Sequence, residues 1–146
     1  LFEELSDLEL EEMVRVMVRE DFRAGDTVFD EGDVGDKLYI IVKGSVDIIK
    51  STGKGPGQVL VTLKKGDYFG EMSLIDDAPR SASAMASEET TLFSIKKKDL
   101  MLLLDNAPTV AAKIYKFFAF TLNERLRQTN EKIKTFVHMA QEMSES

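Results

Sequence analysis

Cysteine and tryptophan are absent from the 146-residue sequence, and histidine occurs once, at His138. Without cysteine, neither a disulfide framework nor a thiolate metal site can form, and no residue type indicates an oxidising compartment. A cytoplasmic location is therefore expected. Metal-dependent enzymes with a β-barrel or β-sandwich fold need several histidine ligands. A single histidine, near the end of the chain, therefore argues against that class. We expect no metal, no other cofactor and no catalytic residues.

Basic residues are also in deficit, with 19 against 26 acidic residues and a formal net charge of -7. Duplex nucleic acids are bound mainly by clustered Lys and Arg, so no direct nucleic-acid binding by this chain is expected. One local basic group could still hold a small anion. No apolar run approaches the roughly 20 residues of a membrane-spanning helix, so no membrane segment is expected either.

The pattern of apolar residues changes twice and divides the chain into three predicted parts. Residues 1–21 have helical spacing, which predicts one or two short amphipathic helices. Residues 22–98 hold short apolar runs between glycine-containing turns, which predicts an antiparallel sandwich, roll or barrel. Residues 99–146 are helical again, with a hinge that ends near Pro108 and then one long helix. The predicted strands are 27–29, 38–42, 46–49, 59–63, 82–86 and 91–95.

A set of mostly apolar positions on the long C-terminal helix recurs at alternating spacings of four and three. They are Tyr115, Ala119, Leu122, Leu126, Thr129, Ile133, Phe136, Ala140 and Met143. Such a heptad seam is typical of a coiled coil, so we expect a homodimer through this helix. Beyond about Arg125 the helix should extend past the predicted β-structure of residues 22–98. Phe118 and Phe120 are expected to pack on that β-structure.

Segment 69–82 carries one acid and one base nine residues apart, beside a glycine. Gly70 permits close backbone approach, and the amides of Met72 and Ser73, at the start of a short helical turn, can point at an anion. Arg80 adds a positive charge and a planar fork that matches phosphate oxygens. Glu71 would repel an anion but suits a ligand that also presents a hydroxyl donor. A ribose phosphate meets both requirements.

Taken alone, Arg80 has a simpler interpretation, as a surface residue paired with Asp76 or Asp77. The surrounding residues favour the anion-binding role of Arg80. The sequence F-G-E-M-S-L, followed at fixed spacing by P-R-S-A, resembles the phosphate-binding cassette of the cyclic-nucleotide-binding domain family. Residues 29–33 and 38–46 resemble the same family's early strands and turns. The likeness extends over roughly residues 2–130 and includes catabolite activator-like effector domains and kinase regulatory subunits.

The resemblance implies an α+β fold, an antiparallel, jelly-roll-like β-roll flanked by N-terminal amphipathic helices and a long C-terminal helix. It also implies that Glu71 accepts a hydrogen bond from the ribose 2'-hydroxyl and that Arg80 pairs with the cyclic phosphate. The amides of Ser73 and Ser81 complete the phosphate cradle. The remaining cassette positions assigned to the ligand site are Gly70, Met72, Pro79 and Ala82.

For the base, the resemblance assigns Ile48, Leu60 and Val61 to the wall around the purine, although each could equally be ordinary roll core. Thr129 and Asn130 on the long helix are assigned to a lid over the base; Thr129 could instead be a polar residue in the coiled-coil seam. Members with Thr in place of Ser81 often favour cGMP, so cAMP is the expected ligand and cGMP the alternative.

The expected function is therefore that of a non-enzymatic sensor or regulatory domain. Ligand binding would move the C-terminal helix and so control a partner protein or a further output domain. Two other functions stay open: the same fold could sense another small molecule, or it could serve as a ligand-free dimerisation scaffold.

Overall fold

A computed structural model describes residues 3–145; Leu1, Phe2 and Ser146, which fall within the predicted terminal segments, lie outside the described residues. Within this range one helix precedes a series of eight strands that a short helix interrupts, and two helices follow. In order they are α1 (Asp7–Arg15), β1 (Met17–Phe22), β2 (Thr27–Phe29), β3 (Lys37–Lys43), β4 (Ser45–Lys50), β5 (Gln58–Lys64), β6 (Tyr68–Phe69), α2 (Met72–Asp76), β7 (Ser83–Ala86), β8 (Thr90–Lys96), α3 (Lys97–Asn106) and α4 (Pro108–Glu145).

The strands pair antiparallel in two four-stranded sheets, with the orders β1-β8-β3-β6 and β2-β7-β4-β5. Because alternate side chains of a strand point to opposite faces, each sheet turns one apolar face inward. The core between the sheets consists of Tyr39, Ile41, Val46, Leu63, Phe69, Ala84 and Leu92. A second core joins the first sheet to α1, α3 and α4 through residues that include Met13, Ile40, Tyr68, Ile95, Leu100 and Ile114. The predicted α+β fold with an antiparallel roll is confirmed.

The predicted N-terminal helical segment extends too far. α1 ends at Arg15, and Met17–Phe22 forms strand β1 instead. This strand pairs along its whole length with β8, from Met17 opposite Ile95 to Phe22 opposite Thr90. The apolar spacing around Met17 is compatible with a helix, but pairing with a distant strand satisfies the backbone groups, and tertiary context overrides the local preference. Strand β6 was also missed, since it is only two residues long.

α4 is the longest element, with 38 residues and a length of about 57 Å at the usual helical rise. Pro108 is its first residue, where a missing N–H is tolerated. Val110, Ile114 and Phe118 are buried, whereas every described residue from Leu126 onward is exposed. The helix therefore outruns the roll beyond Arg125, as predicted.

The expectation that Phe120 packs on the roll is wrong, since its side chain is 62% exposed. It lies two residues after the buried Phe118, about 200° further around the helix, so it points away from the roll. No helix within residues 3–145 is long and apolar enough to cross a membrane.

Candidate functional site

The second position of the cassette, residues 69–82, requires glycine both for its backbone angle and for the space available. Gly70 has a φ of 88°. A Cβ there would lie 2.6 Å from Arg80 Nη1 and 2.9 Å from the Lys37 carbonyl oxygen. Glu71 follows directly, and the short helix α2 then ends at Asp77, whose φ of 56° is left-handed. The chain turns back sharply, so Glu71 and Arg80 both line one cavity.

Arg80 is buried, with only 5% of its surface exposed. Its Nη1 donates to the Gly70 carbonyl at 2.9 Å and its Nη2 to the Lys37 carbonyl at 2.7 Å. The guanidinium carbon lies 4.2 Å from the centroid of the Phe29 ring, a cation–π contact. Burial lowers the pKa of Arg80, but an arginine remains charged near neutral pH. A fixed positive charge therefore stands in the cavity wall.

One nitrogen of this guanidinium has no hydrogen-bond partner among the described residues. This nitrogen is Arg80 Nε, which is buried. Buried donors are almost always satisfied, and leaving one unmade costs about 1–3 kcal/mol. The alternative ion pair of Arg80 with Asp76 or Asp77 does not form, since Asp77 instead makes an ion pair with Lys97. Arg80 thus has spare capacity for an acceptor that the described chain does not supply.

The loop before β3 holds the cassette in place. The Gly32 N–H donates to the Arg80 carbonyl and the Arg80 N–H donates to the Asp33 carbonyl, both at 2.8 Å. At Gly35 a Cβ would lie 2.1 Å from the Cβ of Ser73, so a side chain at this position would displace α2. The cassette is therefore positioned by backbone contacts to a segment some 40 residues earlier in the chain.

Glu71 is 3% exposed and is paired with α4. Its Oε1 accepts a hydrogen bond from Arg125 Nη1 at 2.6 Å, while Arg125 Nη2 donates to the Tyr68 carbonyl at 2.8 Å. The guanidinium also lies 5.3 Å from the centroid of the Tyr68 ring. A buried carboxylate needs such compensation. One side chain of α4 thus joins the long helix to the cassette.

A cavity of about 140 Å³ lies between these groups. Its lining includes nine residues that the sequence assigned to the ligand site: Ile48, Val61, Gly70, Glu71, Met72, Ser73, Arg80, Ser81 and Ala82. Phe29, Leu63, Phe69 and Arg125 complete the wall. The cavity combines an apolar floor from the strands with one charged end, an arrangement that suits a ligand with a flat apolar part and an anionic group.

Four assigned residues are not brought to this cavity: Leu60, Pro79, Thr129 and Asn130. Leu60 is 48% exposed and lies at a β-bulge of β5. Its neighbours Val59 and Val61 pair with β4, but Leu60 has no Cα partner there. Thr129 and Asn130 are exposed on the part of α4 that has left the roll, and the Thr129 hydroxyl donates to the Arg125 carbonyl at 3.0 Å. Neither Thr129 nor Asn130, the residues predicted to form a lid, lines the cavity in this structure.

Sequence reasoning missed Arg125, which lines the cavity and pairs with Glu71. Two signals could have located it. A carboxylate assigned to a ligand cleft needs a cationic or hydrogen-bonding neighbour, and Arg125 lies one helical turn before Thr129, on the same face of the helix. Phe29 was also missed, since an aromatic residue in a strand is ordinarily taken as core.

Comparison with known proteins agrees with this geometry. Residues 19–107 match the family model described as "Cyclic nucleotide-binding domain". The chain is 34% identical to the cyclic AMP receptor protein of Thermus thermophilus over 124 residues, 85% of this chain and 57% of that protein. It is 33% identical to a cGMP-dependent protein kinase of Plasmodium berghei over 129 residues, 88% of this chain and 14% of the kinase.

A solved structure gives the same fold. The crystal structure of a cyclic nucleotide-binding domain from Methylobacillus flagellatus superposes with a TM-score of 0.83 and 32% identity, covering 91% of this chain and 75% of that one. The chain spans about half the length of the first curated relatives it matches. Because the matched model covers more than half of the chain and includes the whole cassette, this chain belongs to the cyclic nucleotide-binding domain family.

Proposed function

We propose that this chain is a cAMP-sensing regulatory domain whose phosphate site is built around Arg80. The observation that carries the proposal is the buried guanidinium with one unused Nε donor in the wall of a partly apolar cavity. A cyclic phosphate supplies the missing acceptor and neutralises the charge. It would also meet the start of α2 and the Ser81 peptide, where backbone N–H groups are directed at an anion.

The ribose is expected beside Glu71. A carboxylate next to a phosphate site is favourable only if the ligand brings a hydroxyl donor, and a ribose 2'-hydroxyl does so. Glu71 already accepts from Arg125, but a carboxylate has two oxygens and about four acceptor sites, so a ribose hydroxyl and Arg125 can share it. Glu71 would then connect the ligand directly to α4.

The purine is expected along the apolar wall formed by Phe29, Ile48 and Val61. The preference for cAMP over cGMP is supported by Ser81, at a position where the family's cGMP-selective members often carry Thr. Relatives named for either nucleotide match this chain, so base choice needs direct measurement. The net charge of -7 supports small-molecule binding rather than duplex binding by this domain.

Arg80→Lys is expected to weaken cAMP binding by at least about tenfold. Lysine keeps the charge but loses the planar fork, and a charge-assisted hydrogen bond contributes about 1.5–3 kcal/mol. Titration calorimetry of the purified chain with cAMP and cGMP measures this, with cAMP expected to bind more tightly. Arg127→Lys, on the exposed part of α4, is the matched control and should bind as the wild type does.

Two results of that titration would contradict the proposal. Wild-type affinity in Arg80→Lys would remove Arg80 from the phosphate site. If the wild-type chain binds neither nucleotide, the domain is instead a scaffold or a sensor of another molecule.

We also propose that ligand binding is coupled to the position of α4. Arg125 provides the physical connection, because it holds both the Glu71 carboxylate and the Tyr68 carbonyl. A ligand that hydrogen-bonds Glu71 shares this carboxylate with Arg125 and changes the strength of the Glu71–Arg125 contact, and it thereby shifts an equilibrium between positions of the helix. The output would be a partner protein or a further domain that responds to this shift.

In the ligand-free chain, Arg125→Met is expected to speed amide hydrogen exchange in residues 119–130 by several-fold, since it removes the attachment of this part of α4 to the cassette. Arg127→Met is the charge-matched control; Arg127 pairs only with Glu124 on the same helix and is 71% exposed. Amide hydrogen exchange, measured by mass spectrometry on both variants, tests this expectation. Equal protection in the two variants would rule out Arg125 as the connection.

Dimerisation is proposed through the exposed face of α4. The seam residues beyond the roll include Leu126, Ile133, Phe136 and Met143, each more than half exposed. Their heptad spacing matches the requirement of a two-stranded coil, in which a second copy covers this face. Polar and charged residues such as Glu131, Lys134 and Glu142 occupy the opposite side.

Phe136→Glu is expected to convert a dimer of two 16.4 kDa chains into a monomer, because it places a carboxylate in the apolar seam. Lys134→Glu lies on the outer side of the same turn and should leave the mass unchanged. Light scattering at several protein concentrations measures both. A monomeric wild type, or a dimer that survives Phe136→Glu, would contradict the assignment.

A further inference from the structure

Two charged side chains cross the start of strand β7, outside the cavity. β7 lies between β2 and β4 in its sheet. From the β2 side, Glu31 Oε1 accepts from the Ser51 N–H at 3.0 Å, and its Oε2 lies 3.5 Å from Lys50 Nζ. From the β4 side, Lys50 Nζ donates to the Ser81 carbonyl at 2.7 Å. We call Glu31 and Lys50 the strap.

The strap begins where the regular ladder between β4 and β7 ends. Cα partners run from Val46 opposite Ala86 to Ile49 opposite Ser83, and no further pair follows among the described residues. β4 itself continues to Lys50, which pairs with Gln58 on its other side. Beyond this point no backbone N–H of β4 is paired with the cassette. The Lys50 ammonium instead donates to the Ser81 carbonyl, at the point where the cassette leaves the sheet.

Both peptide groups around Ser81 are therefore held. The Arg80 carbonyl accepts from the Gly32 N–H at 2.8 Å, and the Ser81 carbonyl accepts from Lys50. Because the peptide is trans, the Ser81 N–H points opposite to the Arg80 carbonyl and away from Gly32. The Gly32 N–H thus holds the peptide that carries the Ser81 N–H, and Lys50 holds the following peptide. Holding both restricts the backbone rotation of Ser81 and hence the direction of its N–H in the cavity wall.

The strap is charged at neutral pH. The Ser51 backbone N–H lowers the pKa of Glu31, and the charge of Lys50 contributes in the same direction. Exposed ion pairs contribute little to overall stability, which fits a local role in orienting one peptide rather than a role in holding the fold together.

We propose that Lys50, itself held by Glu31, is a positioning residue that aims the Ser81 amide at the phosphate of the bound nucleotide. This inference rests on the proposed function. Lys50 does not line the cavity and acts through the Ser81 peptide alone. It extends the phosphate site to a side chain outside the cavity lining, which the cassette motif does not identify.

The test compares Lys50→Met with Lys50→Arg and with Lys54→Met, a charge-matched change in the β4–β5 loop. Calorimetry with cAMP should give a three- to tenfold loss of affinity, as an order of magnitude, for Lys50→Met only. Lys50→Arg restores a donor and should recover most of the affinity. Thermal midpoints of the ligand-free variants should match that of Lys54→Met.

A second readout separates positioning from a general structural effect. The two phosphorothioate diastereomers of cAMP each replace one exocyclic oxygen by sulfur, a poorer acceptor. If the Ser81 amide is aimed at one oxygen, Lys50→Met should cost less affinity for the diastereomer that already lacks it. Equal losses for cAMP and both diastereomers, or no loss relative to Lys54→Met, would overturn the inference while leaving the proposed function intact. A wild-type chain that binds no cyclic nucleotide would overturn both.

Discussion

The burial of the Arg80 guanidinium is the constraint on which the rest of the site depends. A buried charge is tolerated only where carbonyls, an aromatic face and a bound anion replace water. Gly70 and Lys37 supply the carbonyls and Phe29 the ring. Gly70 must lack a side chain because Arg80 occupies that space. The fold thus brings β3, β6 and the turn after β2 together around one cation.

The same constraint explains how a small ligand can influence a long helix. Glu71 is even more buried than Arg80, and its charge is balanced by Arg125 from α4. The two charged residues of the cassette therefore face different partners, one toward the expected phosphate and one toward the helix. Under the proposed function, a ligand that touched both of them would act on the cavity and on α4 at once, with no need for a longer chain of contacts.

Much of this could be predicted from the sequence, for reasons that differ between elements. Short apolar runs between glycine turns located six of the strands, and Pro108 located the start of α4. β1 could not be predicted, because its pairing with β8 joins residues about 70 positions apart, from Phe22 opposite Thr90 to Met17 opposite Ile95. The cassette motif identified Glu71 and Arg80, but a motif shows neither how they are held nor which distant residue, Arg125, completes the wall. Leu60 lies at a bulge in β5, where strict alternation of faces fails, so counting along the strand could not place its side chain.

The state of the Arg80 Nε proton tests the account most directly. In a nitrogen–proton correlation spectrum, with Arg80 identified by comparison with Arg80→Lys, saturation with cAMP should move this resonance downfield and slow its exchange with water. Adenosine, which lacks the phosphate, should not do so. If cAMP binds and the Arg80 Nε signal keeps its position and exchange rate, the phosphate does not meet this guanidinium and the central claim is wrong.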